Sequence, residues 1–237
     1  MECMDRGNKL LDIFLIVCFL FAAVLLVLTA RQVSAVPAER LDAAPCLVID
    51  PGHGGLDGGA IAFNGVKESD INLAIGLKLR SLAEFLGCRT AMTRETDDVQ
   101  GDYESYSERE DLIRRTEKIN SVPNAVLISI HQNFYPTSQP SGAEVLYAPG
   151  EKSRRLGEIT QRNIVSFLQP SNRRLAGPAS KGLYIPAHIT CPGILAECGF
   201  LSNITDLELL SKDRYQTSLA AVLMLSYLQY LSNESYT

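Results

Sequence analysis

Short apolar runs that stop at turn residues alternate, along most of this chain, with longer stretches whose apolar residues recur every three to four positions. Cys46–Ile49 is such a run, ended by Asp50-Pro51-Gly52. Arg89–Arg94, Ala125–Ile130, Ala143–Tyr147, Gly182–Ile185 and Gly193–Ala196 read as further short strands. Between them lie helical patterns at Glu68–Gly87, Ser107–Asn120 and Glu151–Leu168, and a strongly apolar one at Ser218–Leu231. In the first of these, Ile71, Ile75, Leu79, Leu82 and Leu86 fall on one face, and Gly87 is a natural C-terminal stop. Glu95–Tyr106 is polar and acidic and reads as a loop, and Ser107 is a plausible helix cap. Strands that alternate with helices predict an α/β, single-domain layered fold: a mostly parallel or mixed sheet of about six strands flanked by helices.

The chain has 237 residues, 46% of them apolar, which suits one domain with a full core and a short extension. Net charge is -5 and Lys and Arg form no dense run, so a nucleic-acid surface, which needs clustered cations, is excluded. The extension is N-terminal. Arg6 and Lys9 precede an uncharged run from Ile13 to Ala30. Residues 1–31 are expected to be a membrane anchor or signal segment, 32–44 a linker, and 45–237 the catalytic domain. The length of the run favours a retained membrane helix, whereas Val33-Ser34-Ala35 has the look of a small-residue cleavage site. Arg31 and Arg40 offset the flanking cations, so loop charge leaves orientation open. Of six cysteines, Cys3 and Cys18 belong to this region. Cys46, Cys88, Cys191 and Cys198 lie in the domain without a CxxC pair and read as buried free thiols rather than a metal site.

Only three histidines are present: His53, His131 and His188. His53 and His131 follow predicted buried strands, at the edge where open α/β sheets bind their ligands. Glu68 opens the first helix, and Glu197 ends the last strand. Four groups suited to metal or proton chemistry therefore converge on one sheet edge. A lone histidine after a strand is more often a satisfied polar residue than a ligand. Together, two histidines and a carboxylate meet what a catalytic zinc requires, and a second carboxylate would remain as general base. The glycines of DPGHGGLDGGA would also suit a phosphate cradle, but neither GK[ST] nor GxGxxG spacing is present. A tight turn beside a metal and a bulky substrate is the better reading.

Several segments together carry a resemblance: LVIDPGHGGLDGGA, then Glu68 in NGVKESDINLA, then SIHQN, then ILAECGFLSN. Met92–Arg94, SERE with Leu112 and Arg115 before Asn120, Gly142–Tyr147 and Lys181 extend it. From about Cys46 onward the chain resembles the zinc-dependent, type 3 N-acetylmuramoyl-L-alanine amidase family. Its size, N-terminal segment and lack of wall-binding repeats resemble the spore-cortex, germination-specific branch.

The resemblance implies Zn²⁺ as cofactor, held by His53, Glu68 and His131, with Glu197 as catalytic base. It implies peptidoglycan as substrate, a catalytic domain outside the cytoplasm, and a place in spore-cortex maturation. An accessory lipoprotein or deacetylase partner stays unidentified. His188 matches no ligand and reads as a loop residue near the cleft. Asn133 either orients a ligand or substrate or serves the turn before Pro136. About 33 residues separate Tyr147 from Lys181, half of them in a predicted helix. That leaves no length for the long helix that covers the zinc in larger members, so an open groove is expected. Another zinc hydrolase of the same polymer (a peptidase or deacetylase) and a non-catalytic wall-binding module are the competing classes.

Overall fold

The computed structural model describes residues 44–97 and 106–234. The expected anchor or signal segment at 1–31 and most of the linker lie outside the described residues. Among those described, no helix is long and apolar enough to cross a membrane.

Six strands form one sheet: β1 (Cys46–Pro51), β2 (Arg89–Met92), β3 (Ala125–Asn133), β4 (Glu144–Tyr147), β5 (Gly177–Pro178) and β6 (Gly193–Phe200). Their order is β2-β1-β3-β6-β4-β5. The first four in that order run parallel, β4 is antiparallel to β6, and β5 is parallel to β4. The helices are α1 (Glu68–Phe85), α2 (Glu108–Asn120), α3 (Glu151–Phe167), α4 (Tyr184–His188), α5 (Ile204–Leu210) and α6 (Asp213–Glu234). This is the mixed α/β layering that the sequence pattern predicts.

Every residue of β1 is buried because helices cover both faces of the sheet, which is why the run reads as continuously apolar. Leu47, Ile49, Ile128, Ile130, Ile194 and Ala196 pack with Ile75 and Leu79 of α1, Leu156 and Ile164 of α3, and Leu223 and Tyr227 of α6. Each fully buried Leu or Ile among them contributes about 1.5–3 kcal/mol of apolar burial. On the opposite face Val48 and Leu127 meet Ile119 of α2 and Ile185 of α4. That second layer is thin. Among the described residues, its two helices leave a cleft at the C-terminal ends of β3 and β6 on that side.

Some expectations change. Gly182–Ile185 is no strand: the chain turns at Lys181–Gly182 and enters α4, with Pro186 in the first helical turn where proline is tolerated. A three-residue apolar run cannot by itself distinguish strand from helix. The remaining strand is instead the two-residue β5. β2 stops at Met92, two residues before the predicted end, because Thr93 and Arg94 turn inward to bond the β1 end. α5 escapes sequence reading, and Asn203 caps it by accepting from Thr205 N and Asp206 N. Ser107 holds the cap position of α2 without a side-chain cap bond. The predicted loop at Glu95–Tyr106 falls largely outside the described residues. Cys46 and Cys198 are buried free thiols as expected, whereas Cys88 and Cys191 are only half-buried.

Candidate metal centre

Strand parity decides what faces the uncovered side. Side chains alternate across a sheet, so Ser129 and His131 share the face of Leu127, while Gln132 points to the α1 side. On β6 the same rule puts Glu197 with Leu195 on the thinly covered face. His131 and Glu197 are Cα partners on adjacent parallel strands. The ladder is irregular between His131 and Asn133, just beyond this pair.

Glu68 arrives from the N-terminus of α1. A buried carboxylate is favoured there by the exposed N–H groups and the helix dipole. Its Oε2 accepts from Ala60 N at 3.0 Å. Its Oε1 accepts from Gln132 N at 3.0 Å and from Asn72 Nδ2 at 3.3 Å. Oε1 also lies 2.9 Å from His131 Nδ1 and 3.3 Å from His53 Nε2. His53 comes from the turn after β1, and its ring meets that of His131 edge to face with centroids 5.0 Å apart. One ligand atom from each of His53, Glu68 and His131 lies within 4.8 Å of the other two. Two imidazoles and one carboxylate at that spacing fit a single Zn²⁺ by donor chemistry.

Two glycines make the cluster sterically possible. A Cβ on Gly52 would stand 2.2 Å from Cε1 of His131. One on Gly59 would stand 2.6 Å from Glu68 Oε2 and 2.7 Å from His53 Cδ2, at a φ of +63°. Asp57, unremarked in the sequence, orients the first histidine. Its Oδ2 is 2.7 Å from His53 Nδ1, and its Oδ1 accepts from Gly59 N at 3.0 Å. That contact occupies Nδ1 and leaves Nε2 directed at the cluster. A carboxylate four residues after a histidine inside a glycine-rich turn was the available signal. Burial opposes charge on His53, but Asp57 and Glu68 outweigh it and push the imidazole up to about 10. Burial likewise opposes the charge on Glu68, and His131 and His53 overcome it, holding the carboxyl below its usual range.

Glu197 stands apart. Its Oε2 is buried and has no hydrogen-bond partner among the described residues. Burial is the main reason its carboxyl is pushed up to about 7, opposed by His131 and reinforced by Glu68. The cleft it faces measures about 350 Å³ and is walled by Phe134 on one side and by Leu183–Pro186 of the α4 segment on the other. No residue between 148 and 181 lines it. That stretch instead carries α3 and β5, which pack against β4, so among the described residues no helix from it covers the groove. His188 takes no part in the cluster: it is exposed at the end of α4 and stacks on Tyr184 at 4.0 Å. Asn133 lines the cleft, yet its Oδ1 accepts from Phe134 N at 2.8 Å, which favours the turn reading.

Comparison with known proteins follows the same outline. Residues 47–226 match the family model described as N-acetylmuramoyl-L-alanine amidase. A germination-specific N-acetylmuramoyl-L-alanine amidase of Bacillus subtilis is 34% identical over 197 residues, covering 79% of this chain and 80% of the relative. The CwlD amidase of Clostridioides difficile, solved in complex with the GerS lipoprotein, superposes with a TM-score of 0.75 at 32% identity, over 79% of this chain and 98% of that one. An N-acetylmuramoyl-L-alanine amidase from Clostridium difficile 630 gives 0.70 at 28% identity, over 80% of this chain and 97% of that one. A match running from the first strand into the last helix, shared with a fold whose strand ends gather two histidines and two glutamates, makes this chain a member of the N-acetylmuramoyl-L-alanine amidase family.

Proposed function

We propose that the chain is a zinc-dependent enzyme that hydrolyses the amide between N-acetylmuramic acid and L-alanine in peptidoglycan, in the setting of spore-cortex maturation. The observation that carries the reading is the juxtaposition of a three-ligand cluster with an unbonded, buried carboxylate on the neighbouring strand. His53, Glu68 and His131 would hold the zinc, and Glu197 would be the base. Zn²⁺ in that set would supply Lewis acidity, polarising the scissile carbonyl and lowering the pKa of water.

The chain's own residues do the rest. Glu197, its carboxyl lifted to about 7, takes the proton of the attacking water and returns it to the departing alanine nitrogen. An amine leaves poorly unless protonated, so the return matters as much as the uptake. Glu68 keeps its charge at every working pH because its carboxyl lies below the usual range. Asp57 holds the His53 ring in one orientation. The open groove suits a polymer threading past the site, with the wall formed by Leu183–Pro186 offering apolar contact to the glycan or stem.

The germination-specific name of the Bacillus subtilis relative supports the spore setting. The complex of the Clostridioides difficile neighbour with a lipoprotein supports a lipoprotein partner for this chain too. Residues 1–31 would serve as a membrane anchor or a signal segment, with the domain from 45 onward outside the cytoplasm, anchored or secreted. Metal content measured together with product analysis on purified muropeptides tests the reading. One zinc per chain and release of intact stem peptide support it. Cleavage within the stem, or loss of acetyl groups alone, would make the enzyme a peptidase or a deacetylase.

A further inference from the structure

Beneath the metal cluster lies a layer of charge that the proposed reaction does not use. Asp50, Arg94, Asp111 and Arg115 are all buried. The two arginines direct most of their donors at one short piece of backbone. Arg115 donates from Nη1 to Pro51 O at 2.8 Å and from Nη2 to His53 O at 2.6 Å. Arg94 donates from Nε to Pro51 O at 2.9 Å and from Nη2 to Gly52 O at 3.0 Å. The same Nη2 reaches Ser69 O at 2.8 Å, on the residue after Glu68, and Nη1 reaches Thr96 O at 3.0 Å. Three successive carbonyls at the end of β1, together with the start of α1, are therefore held by two guanidinium groups.

Burying two cations beside one turn is expensive, and neutral donors would satisfy carbonyls equally well. The arrangement has another use. His53 has a φ of 60°, in the left-handed region that a residue with a Cβ rarely adopts. Relaxing that angle would swing the imidazole away from Glu68 and His131. Arg115 holds the strained residue by its own carbonyl oxygen. It is itself held by Asp111 through Nε at 2.7 Å and by Asp50 through Nη1 at 3.1 Å. Asp50 in turn accepts from Thr93 and Ser129, each at 2.6 Å. Arg94 ties the His53 turn to the α1 segment that carries Glu68. A rigid fork with five donors can do this from one side chain, whereas a lysine cannot.

We propose that Arg94 and Arg115 are positioning residues that clamp the Pro51–His53 turn and the head of α1 in the ligand-competent shape, so that they set metal affinity rather than merely fold stability. The proposal rests on the zinc reading above.

The test uses the full-length protein and Zn²⁺ competition against a chelator, with Co²⁺ absorption as a probe of ligand geometry. Arg115→Lys and Arg94→Lys are each expected to weaken Zn²⁺ binding by about 10- to 100-fold, the range for residues that orient metal ligands, and to alter the Co²⁺ spectrum. Asn163→Ala is the comparison for generic destabilisation. Asn163 is buried and bonded to Ser226 and Gln229, away from the turn. It should lower Tm while leaving both metal readouts at wild type. Should Arg115→Lys fail to fold, Asp111→Ala removes the carboxylate that Arg115 Nε donates to while keeping the guanidinium, and should still weaken binding several-fold. Wild-type Zn²⁺ affinity in Arg94→Lys and in whichever of Arg115→Lys and Asp111→Ala folds overturns the proposal. So does a loss of affinity that Asn163→Ala reproduces at equal Tm. Wild-type protein that takes up neither metal sinks the zinc reading itself, which is a separate result.

Discussion

Gly52 and His131 compete for the same volume: a Cβ on the glycine would fall 2.2 Å from Cε1 and 2.3 Å from Nε2 of the imidazole. Gly52 follows β1, His131 lies on the neighbouring parallel β3, and the ring occupies the space that a side chain at 52 would need. Gly52→Ala is therefore expected to expel His131 from the cluster and to abolish metal binding. Gly65→Ala is the control for backbone strain without a clash. Unlike Gly52 it sits at positive φ, +85°, and its Cβ would meet nothing within 4 Å. That variant should lose about 1–2 kcal/mol of stability from backbone strain and keep its metal. Equal metal content in the two variants would refute the steric argument.

Asp57 is the next residue to change. Among the described residues its carboxylate bonds the Nδ1 side of His53 and the Gly59 amide, so Asp57→Asn replaces none of the three candidate ligands. An amide keeps the shape but loses the negative charge that favours a donating Nδ1. Metal affinity should fall by about 10- to 100-fold, as for other partners of ligating histidines. Chelator competition reads this directly, and an unchanged affinity would reduce Asp57 to a turn residue.

The sheet and most of the candidate site were legible in the sequence for one reason. A strand covered on both faces must be apolar throughout, so any polar residue at its C-terminal end stands out. His53, His131 and Glu197 stood out in that way. Glu68 was visible as a charge at the head of an amphipathic helix. What could not be read was the support. Asp50, Asp57 and Asn72 are ordinary polar letters until three-dimensional contact shows that Asp57 and Asn72 bond candidate ligands or the turn that carries one, and that Asp50 bonds the arginine holding that turn. α4 was misread for a different reason. Leu183–Ile185 is too short for either period to show, and burial of Ile185 beneath α2 decided the matter.

Metal binding should depend on pH with the sign of a displaced proton. In the metal-free protein His53 is pushed up to about 10, so it is protonated at neutral pH. A ligating imidazole must be neutral, and uptake of Zn²⁺ therefore releases that proton. Apparent affinity should rise by about tenfold for each pH unit gained between roughly 6.5 and 8.5. The stability of the metal-free fold changes in the opposite direction. A raised pKa stabilises the metal-free fold fully below the unfolded value of about 6.5, and that contribution is lost as pH climbs toward 10. Calorimetry in two buffers of different ionisation enthalpy measures the proton released. A value near zero would mean that His53 is neutral before the metal arrives.

A variant that lacks residues 1–42 should fold and cleave muropeptides. β1 begins at Cys46, whose amide bonds Asn124 O at 2.9 Å, and both apolar clusters of the described residues are built from Cys46 and later positions. The N-terminal segment then has localisation as its task. Failure of the shortened protein to fold, with the full-length protein folding in detergent, would move the domain boundary toward the N-terminus.

Glu197→Gln and Glu68→Gln together separate base from ligand. Gln is nearly isosteric with Glu, and the Cα positions of β6 are fixed by β3 on one side and β4 on the other, so Glu197→Gln should fold normally. It should also be slightly more stable at neutral pH and above, because it removes a carboxyl that burial pushes up to about 7 and that costs stability once ionised. An amide cannot take a proton from water at neutral pH or hand one to the departing nitrogen. Loss of a general acid–base costs about 10²- to 10⁴-fold in rate, and the metal should remain bound. Glu68→Gln removes the anion that two histidines face at 2.9 and 3.3 Å. It should lose metal first, with activity following, and added Zn²⁺ should restore part of that activity. No metal concentration should rescue Glu197→Gln. Each variant needs bound zinc and release of stem peptide measured on the same preparation. Near-wild-type turnover by Glu197→Gln, or metal loss in that variant while Glu68→Gln keeps its metal, would reverse the assigned roles.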